Sequence, residues 1–407
     1  MKELLKHLKG DRVIWAVVAT LAIFSFMPIY SASTNLVYVV GNGTTTGHLL
    51  KHAFLLFFGF GIIYFVHKIP YRYFSGGSIL MLYIVIPLLV YTLLQGTTIG
   101  GANASRWVRI PIVNFTFQPS TLASVVLMIY VARYLAQRKN EDIDFKESIW
   151  KLWVPVAVVL ALILPANFST TAILFVMVLL VCFIGGYPWK YLLGILGSGI
   201  VVLMVFVLTF KAFPEIAPNR VDTWIKRVEN FFSGETESNY QVEKAKEAIV
   251  SGGVTGRGFG KSVLKNFMPQ STSDFIFPII VEEAGLIGAF VIVTLYFLLL
   301  VRIIIVAQKA STIFATLVVV GVGLPIVFQA MVNMGVAVNL VPVTGQTLPL
   351  ISSGGTSIWM TCIALGIVLS VSAARDEETS EDFEEIEEKD NKNLYDNPLQ
   401  ILNEKIG

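Results

Sequence analysis

Asp274 stands where a polar stretch gives way to the apolar run Phe275-Ile276-Phe277. A carboxylate at such a boundary is costly unless it has a partner or a task. Partial loss of water would raise its pKa toward the range of a general base, and a nearby cation would bring it down again. The competing explanation is structural, because Asp is a common cap and a helix is expected to start at Phe275. Glu282 and Glu283 follow on the same run, well inside the apolar stretch. Adjacent helical residues point about 100° apart, so the two cannot face one pocket equally. At least one is expected to line a polar cavity or meet a cation, with an ion pair that only holds the fold as the alternative.

Gly256-Arg257-Gly258-Phe259-Gly260-Lys261 has the glycines and cations of an anion-holding turn. It follows no buried strand and lacks the Lys-Ser/Thr ending of a nucleotide loop, so a nucleotide is not expected. Backbone N–H groups and cations there could instead take a lipid diphosphate. Arg106, Arg109 and Lys265 join Arg257 and Lys261 as the available cations. His48 and His52 have i, i+4 spacing but no third ligand, and read as ordinary interfacial histidines. No Ser-His-Asp, Cys-His or zinc-finger arrangement can be assembled. Cys182 and Cys362 lie inside apolar runs, where a free thiol packs as a small hydrophobe.

The elements that must hold these groups follow from composition. The chain has 407 residues, 55% hydrophobic and only 14% charged, against about a quarter charged in soluble domains. Its apolar residues come in charge-poor runs of the length that crosses a hydrocarbon core as a helix. This predicts an all-α polytopic membrane protein of ten spans, near 13–29, 49–66, 78–94, 120–135, 152–164, 170–184, 191–210, 275–301, 313–332 and 357–371. A disulfide-stapled secreted domain, a nucleic-acid module and disorder over most of the length are excluded.

Lys2, Lys6, Lys9 and Arg12 precede the first span, which reads as an uncleaved anchor with a cytoplasmic N-terminus. Alternation then puts Lys68, Arg72, Arg133, Arg138, Lys139, Lys146, Lys151, Lys190, Arg302 and Lys309 in short cytoplasmic connections, as the positive-inside rule expects. The organisation is an N-terminal segment 1–12, a membrane domain 13–374 and an acidic tail 375–407 returned to the cytoplasm. From Asp376 to Gly407 there are 12 acidic residues and 3 lysines, leaving 27 basic against 16 acidic groups before it. Such a tail reads as disordered.

Two segments on the outer side, 95–118 and 211–273, are too long for simple turns, and long ordered loops are usually functional. The second joins the seventh and eighth spans, and its stretch 240–249 reads as an amphipathic surface helix. Trp107, Trp150, Trp153 and Trp189 fall near span ends, where an indole commonly anchors at the headgroup level.

Over about 11–372 these pieces, in order, make the chain similar to a known family. They are Tyr30-Ser31-Ala32-Ser33, Ser105-Arg106-Trp107, Phe117-Gln118-Pro119-Ser120, Tyr240-Gln241, and Ala248-Ile249 with Ser251-Gly252-Gly253. The Gly256–Gly260 turn, the stretch from Pro269 to Phe277, Glu282-Glu283, and Thr347-Leu348-Pro349-Leu350-Ile351-Ser352 with Gly354-Gly355 complete the set. The sequence resembles the SEDS proteins (shape, elongation, division and sporulation), which include FtsW and RodA, and the Thr-Leu-Pro-Leu-Ile-Ser wording is closer to FtsW.

The resemblance implies a peptidoglycan glycosyltransferase that polymerises lipid II onto a nascent glycan chain at the division septum of the bacterial inner membrane. It also implies a class B penicillin-binding transpeptidase and other divisome proteins as partners. It maps the catalytic carboxylate onto Asp274 and substrate contacts onto Arg106, Trp107, Gln118, Ser120, Gln241, Arg257, Lys261, Glu283 and Ser352. A divalent cation, Mg or Mn, held by Asp274 would supplement the cations. The family's usual Glu and Lys after Phe-Gln-Pro-Ser are here Thr121 and Ser124. Its Asp near the sixth span is Asn167, the His and Thr before the catalytic Asp are Thr272 and Ser273, and the Tyr before Gly-Gly is Ser353. The rival expectation is a flippase or transporter for lipid-linked precursors, gated by a proton on Glu282 or Glu283. A scaffold whose loops only dock a partner would leave Asp274 unexplained.

Overall fold

The structure is a computed structural model that describes residues 8–38, 43–95, 107–110, 115–139, 143–212, 227, 229, 231, 240–268 and 271–375. The acidic tail, Arg106, Pro269 and most of 211–239 lie outside the described residues. Helix dominates, as composition requires. The elements are α1 (Arg12–Tyr38), α2 (Thr45–Val66), α3 (Arg72–Gln95), β1 (Val108–Ile110), β2 (Phe115–Phe117) and α4 (Pro119–Gln137). Next come α5 (Phe145–Ser148), α6 (Val154–Ile163), α7 (Phe168–Ile184), α8 (Trp189–Ala212) and α9 (Tyr240–Gly252). The chain continues with α10 (Ile276–Gln308) and α11 (Ile313–Ala337), and the last helix, α12, is Ser357–Arg375.

Among the described residues, eight helices are long and apolar enough to cross a membrane, and α7 is a shorter apolar one. The remaining expected span is composite, because α5 passes into α6 through a π turn, Ile149–Trp153. Pro155 has no N–H to give Lys151 O in the i−4 position, and the Tyr130 hydroxyl donates to that carbonyl instead. The ten expected spans therefore each have a helix.

Helices α10 and α11 form the centre, with α4 packed on α11 and α3, and α1 on α2 and α10. Small residues let the backbones approach. A Cβ on Gly321 would sit 3.5 Å from Met128 of α4, and one on Gly323 would crowd Ile303 of α10. Large apolar side chains such as Phe57, Phe65, Tyr83 and Phe290, each at least 70% exposed, point outward. Such a surface is stable only against hydrocarbon.

One end of the bundle is tied by charge. Asp11 caps α1 through Oδ1, accepting from Val13 N at 2.9 Å and Ile14 N at 3.1 Å, while its Oδ2 accepts from Arg302 Nε at 2.9 Å. Gly10 packs on Leu369 O and Ala373 N of α12, so the first and last helices meet there. Trp150 and Trp189 are exposed as anchors would be, but Trp153 is not. It is buried and donates to Tyr187 OH at 3.1 Å, so it serves the packing of α6 against the α7–α8 connection.

Candidate active site

The opposite end of the bundle carries the ribbon, α9, the turns after it, and the start of α10. The defining feature is a break in α10. Gly285 has φ 68° and ψ −168°, which removes it from the helix. The N–H groups of Leu286 and Ile287, which would have bonded Glu282 O and Glu283 O, turn to Gly253 O at 2.9 Å and Val254 O at 3.3 Å. The two released carbonyls accept from Arg257 N at 2.9 Å and Gly258 N at 3.0 Å. The loop after α9 thus replaces two rungs of the helix. This explains the glycines, since a Cβ on Gly252, Gly256 or Gly285 would run into Val281 O, Glu283 O or Val254 O respectively.

The side chains of Glu282 and Glu283 complete the same joint. Glu282, wholly buried, accepts from Ser262 Oγ at 2.5 Å, Val263 N at 3.0 Å, Leu264 N at 3.5 Å and Arg257 Nη1 at 3.5 Å. It therefore caps the 3₁₀ turn Leu264–Phe267. Glu283 accepts from Ser31 Oγ and from Ser262 N at 3.2 Å. Lys265 Nζ donates to Ser31 Oγ at 3.0 Å and Gly260 O at 3.2 Å. Burial pushes the Lys265 pKa down, and the two glutamates push it back up. The Gly256–Lys261 turn is thus part of an anion nest, but the anions are the protein's own carboxylates. Arg257 and Lys261 are exposed beside it, so an incoming diphosphate would meet their side chains rather than these backbone N–H groups.

Asp274 sits at the start of α10, and Phe275, not Asp274, occupies the helix-capping position, where no side chain caps. The turn that carries the Asp274 carboxylate is held through its backbone. Ser353 N donates to Thr272 O at 2.9 Å, Ser352 Oγ donates to Ser273 O at 2.6 Å, and Asn333 Nδ2 donates to Asp274 O at 2.8 Å. Gly345, at φ 68°, brings its backbone close enough that a Cβ would lie 3.3 Å from Asp274 Oδ2. Half-buried Arg227 donates to Val343 O at 3.2 Å. Burial lowers the Arg227 pKa while the Asp274 carboxylate pulls it back up, which places a cation within electrostatic reach of the acid.

The segment 342–356 links this turn to the other expected residues. A Cβ on Gly355 would sit 3.9 Å from the Trp107 ring. Thr356 Oγ1 accepts from Gln118 N at 3.2 Å, and the Gln118 side chain donates to Ser120 Oγ at 3.1 Å. Asp274, Ser352, Trp107, Gln118 and Ser120 therefore belong to one contiguous constellation. Glu283, Arg257 and Lys261 belong to the loop joint, roughly 10 Å along the helix from its start. Gln241 is half-buried on α9. That helix seats Val242, Ala245 and Ala248 against Phe275, Ile279 and Val336, directly behind the carboxylate turn.

Arg227, Asn333 and Gly345 were not singled out by the sequence. The legible signal for Asn333 was an amide at the end of an apolar run. For Arg227 nothing in the spacing distinguishes it within its loop. The ribbon, pairing Val108 with Phe117 and Ile110 with Phe115, was signalled by the β-branched and aromatic residues on either side of Pro111. Among the described residues no group of three His, Cys, Asp or Glu converges on a metal position. His52 is buried and meets Ser25 Oγ at 2.7 Å.

Thr121 and Ser124 are satisfied on their own helix, with Thr121 Oγ1 donating to Gln118 O at 2.8 Å and Ser124 Oγ to Ser120 O at 2.9 Å. A carboxylate introduced as Thr121→Glu has no such partner. It is expected to lower thermal stability by up to the roughly 2.5 kcal/mol of a mid-membrane charge. Thr121→Glu with Ser124→Lys places the opposite charge at i, i+3 and should recover most of the loss. Equal melting of the two variants would show that the positions are not coupled.

The family model described as cell cycle protein, covering FtsW, RodA and SpoVE, matches residues 11–377. A probable peptidoglycan glycosyltransferase FtsW of Enterococcus hirae is 30% identical over 403 residues, covering 96% of this chain and 99% of that protein. Its namesake in Hydrogenovibrio crunogenus is 32% identical over 334 residues, 81% of this chain and 83% of the other. Among solved structures, a chain from a peptidoglycan synthase complex that coordinates polymerization and crosslinking superposes with TM-score 0.69 at 25% identity, covering 90% of this chain and 98% of that one. The Thermus thermophilus rod shape determining protein RodA has the same fold, with TM-score 0.64 at 24% identity over 90% of this chain and 97% of that one.

Proposed function

The chain belongs to the FtsW/RodA/SpoVE family of cell cycle proteins, and from that membership and the surroundings of Asp274 we propose that it polymerises lipid II into the glycan strands of peptidoglycan. Lipid II carries its sugar on an α-linked polyprenyl diphosphate and the polymer is β-1,4 linked, so one inverting displacement suffices. The acceptor 4-hydroxyl oxygen attacks the anomeric carbon, the bond from that carbon to the diphosphate breaks, and the hydroxyl proton passes to the Asp274 carboxylate. The polyprenyl diphosphate departs with the bonding pair. Arg227, with Arg257 and Lys261 further out, supplies positive charge on this end of the molecule. Asp274 is the residue that would hold a divalent ion such as Mg or Mn, which would supply further neutralisation of the leaving diphosphate.

The observation that carries this reading is a carboxylate just outside the capping position of its helix, on a turn held through its backbone by α11 and the 342–356 segment, within electrostatic reach of half-buried Arg227. The transporter reading needs Glu282 or Glu283 free to exchange protons at mid-depth. Both are instead committed to Ser262, Ser31 and loop N–H groups. Basic residues gather in the short connections at the Asp11–Arg302 end, which is then the cytoplasmic one, and Asp274 works on the outer side. The similarity to a FtsW supports action at the septum, and the synthase-complex structure supports a class B penicillin-binding transpeptidase as partner, alongside other divisome proteins.

Purified full-length protein given lipid II alone, and then lipid II with a transpeptidase, should yield glycan strands. Absence of polymer in both would overturn the assignment. The sidedness has its own test: Lys246→Cys on exposed α9 should react with an impermeant maleimide in intact spheroplasts. Labelling only after permeabilisation would place the site on the wrong side for a lipid-linked substrate.

A further inference from the structure

The extended segment that passes Asp274, 342–348, is pinned by side chains from three parts of the chain. Arg227 holds Val343 O, Gln329 Nε2 donates to Thr347 O at 2.8 Å, and Gln346 Nε2 donates to Thr170 Oγ1 at 3.1 Å. Asn333 differs from these in holding both sides of the site. Its one NH₂ group donates to Asp274 O at 2.8 Å and to Gln346 O at 2.7 Å. The side chain is 1% exposed, and among the described residues its Oδ1 has no partner. The amide orientation is dictated chemically, since the reverse would set an oxygen against two carbonyl oxygens. A buried amide that leaves its own acceptor unmet is retained for its donors. Those donors tie the residue bearing the carboxylate to Gln346, the neighbour of Gly345, whose backbone lies against Asp274 Oδ2.

We propose that Asn333 is a positioning residue for glycan transfer, locking the Asp274 turn to the Gly345–Gln346 segment so that the carboxylate stands in one place. This rests on Asp274 being the base. No other side chain of near-equal size presents two N–H donors from one atom in this geometry. Leu has none, and the carboxyl group introduced by Asn333→Asp would be protonated when buried against two carbonyls and offer a single donor. Loss of the clamp leaves substrate binding intact, since Asn333 is sealed from the substrate, and lets the carboxylate wander by distances that reduce the rate steeply.

The test is steady-state polymerisation of lipid II by full-length Asn333→Asp and Asn333→Leu, with melting temperature measured alongside. Asn333→Asp is the near-isosteric variant expected to fold even where Asn333→Leu does not. The expected result is a kcat at least about tenfold lower with KM for lipid II within about threefold of wild type. Gly345→Ala should produce the same split by crowding the carboxylate directly. Unchanged kcat in folded Asn333→Asp overturns the proposal, as does a raised KM with unchanged kcat, which would make Asn333 a binding residue. A lowered melting temperature with wild-type kcat also overturns it, by reducing Asn333 to a fold contact. Asp274→Asn is run beside these variants: activity retained there defeats the base assignment itself, whereas inactive Asp274→Asn with fully active Asn333→Asp defeats only the clamp.

Discussion

Asp274→Asn is expected to leave the protein folded and to slow lipid II polymerisation by at least about 10²-fold, the contribution of a general base. The two halves of this expectation come from different contacts. The turn is held through the carbonyls of Thr272, Ser273 and Asp274 by Ser353, Ser352 and Asn333, and the substitution keeps all three carbonyls. The capping position of α10 is held by Phe275, so the substitution leaves the cap residue unchanged. What disappears is the proton acceptor, together with the negative charge within electrostatic reach of Arg227. The loss should therefore fall on kcat, with KM for lipid II changed by no more than a few fold. Polymerisation assays with the purified variant, paired with a melting curve, measure both. A variant that melts with wild type and polymerises at a near-wild-type rate would remove Asp274 from the chemistry.

The second large effect concerns the helix break. Gly256 has φ 79°, and a Cβ there would be driven into Glu283 O. Gly256→Ala therefore combines left-handed strain of about 1–2 kcal/mol with displacement of a backbone contact, for which overpacking costs of about 1–3 kcal/mol are usual. A total of about 3 kcal/mol is a large share of a protein's net stability. The displacement would also break the Arg257–Glu282 and Gly258–Glu283 backbone bonds that replace two rungs of α10. Gly253→Ala is the matched control: its φ is 56°, yet a Cβ there meets nothing within 4 Å. It should cost only the strain. Thermal melting in detergent should place Gly256→Ala clearly below Gly253→Ala, and coincident melting would show that the loop does not approach the helix break this closely.

The membrane architecture was readable from the chain because it is a matter of local composition. Apolar runs of helix-spanning length, with cations in the short connections, force backbone groups to bond within each segment, and each of the ten expected spans is a helix. Asp274 was readable as a candidate because an acid at an apolar boundary is conspicuous by itself. The sequence could also show that Glu282, Glu283 and the Gly256–Lys261 turn were unusual, but it could not show that they answer one another. An anion nest and two buried acids look like two separate ligand sites until folding across some 25 residues closes one on the other. The same limit hid the Asn333 clamp, whose partners lie 59 and 13 residues away, and the fact that Phe275, not Asp274, takes the capping position of α10. Hydropathy and charge are properties of a segment. Which hydrogen bonds satisfy a buried group is decided only when distant backbones come within about 3 Å, and in this protein the glycines at 252, 256 and 285 allow that approach.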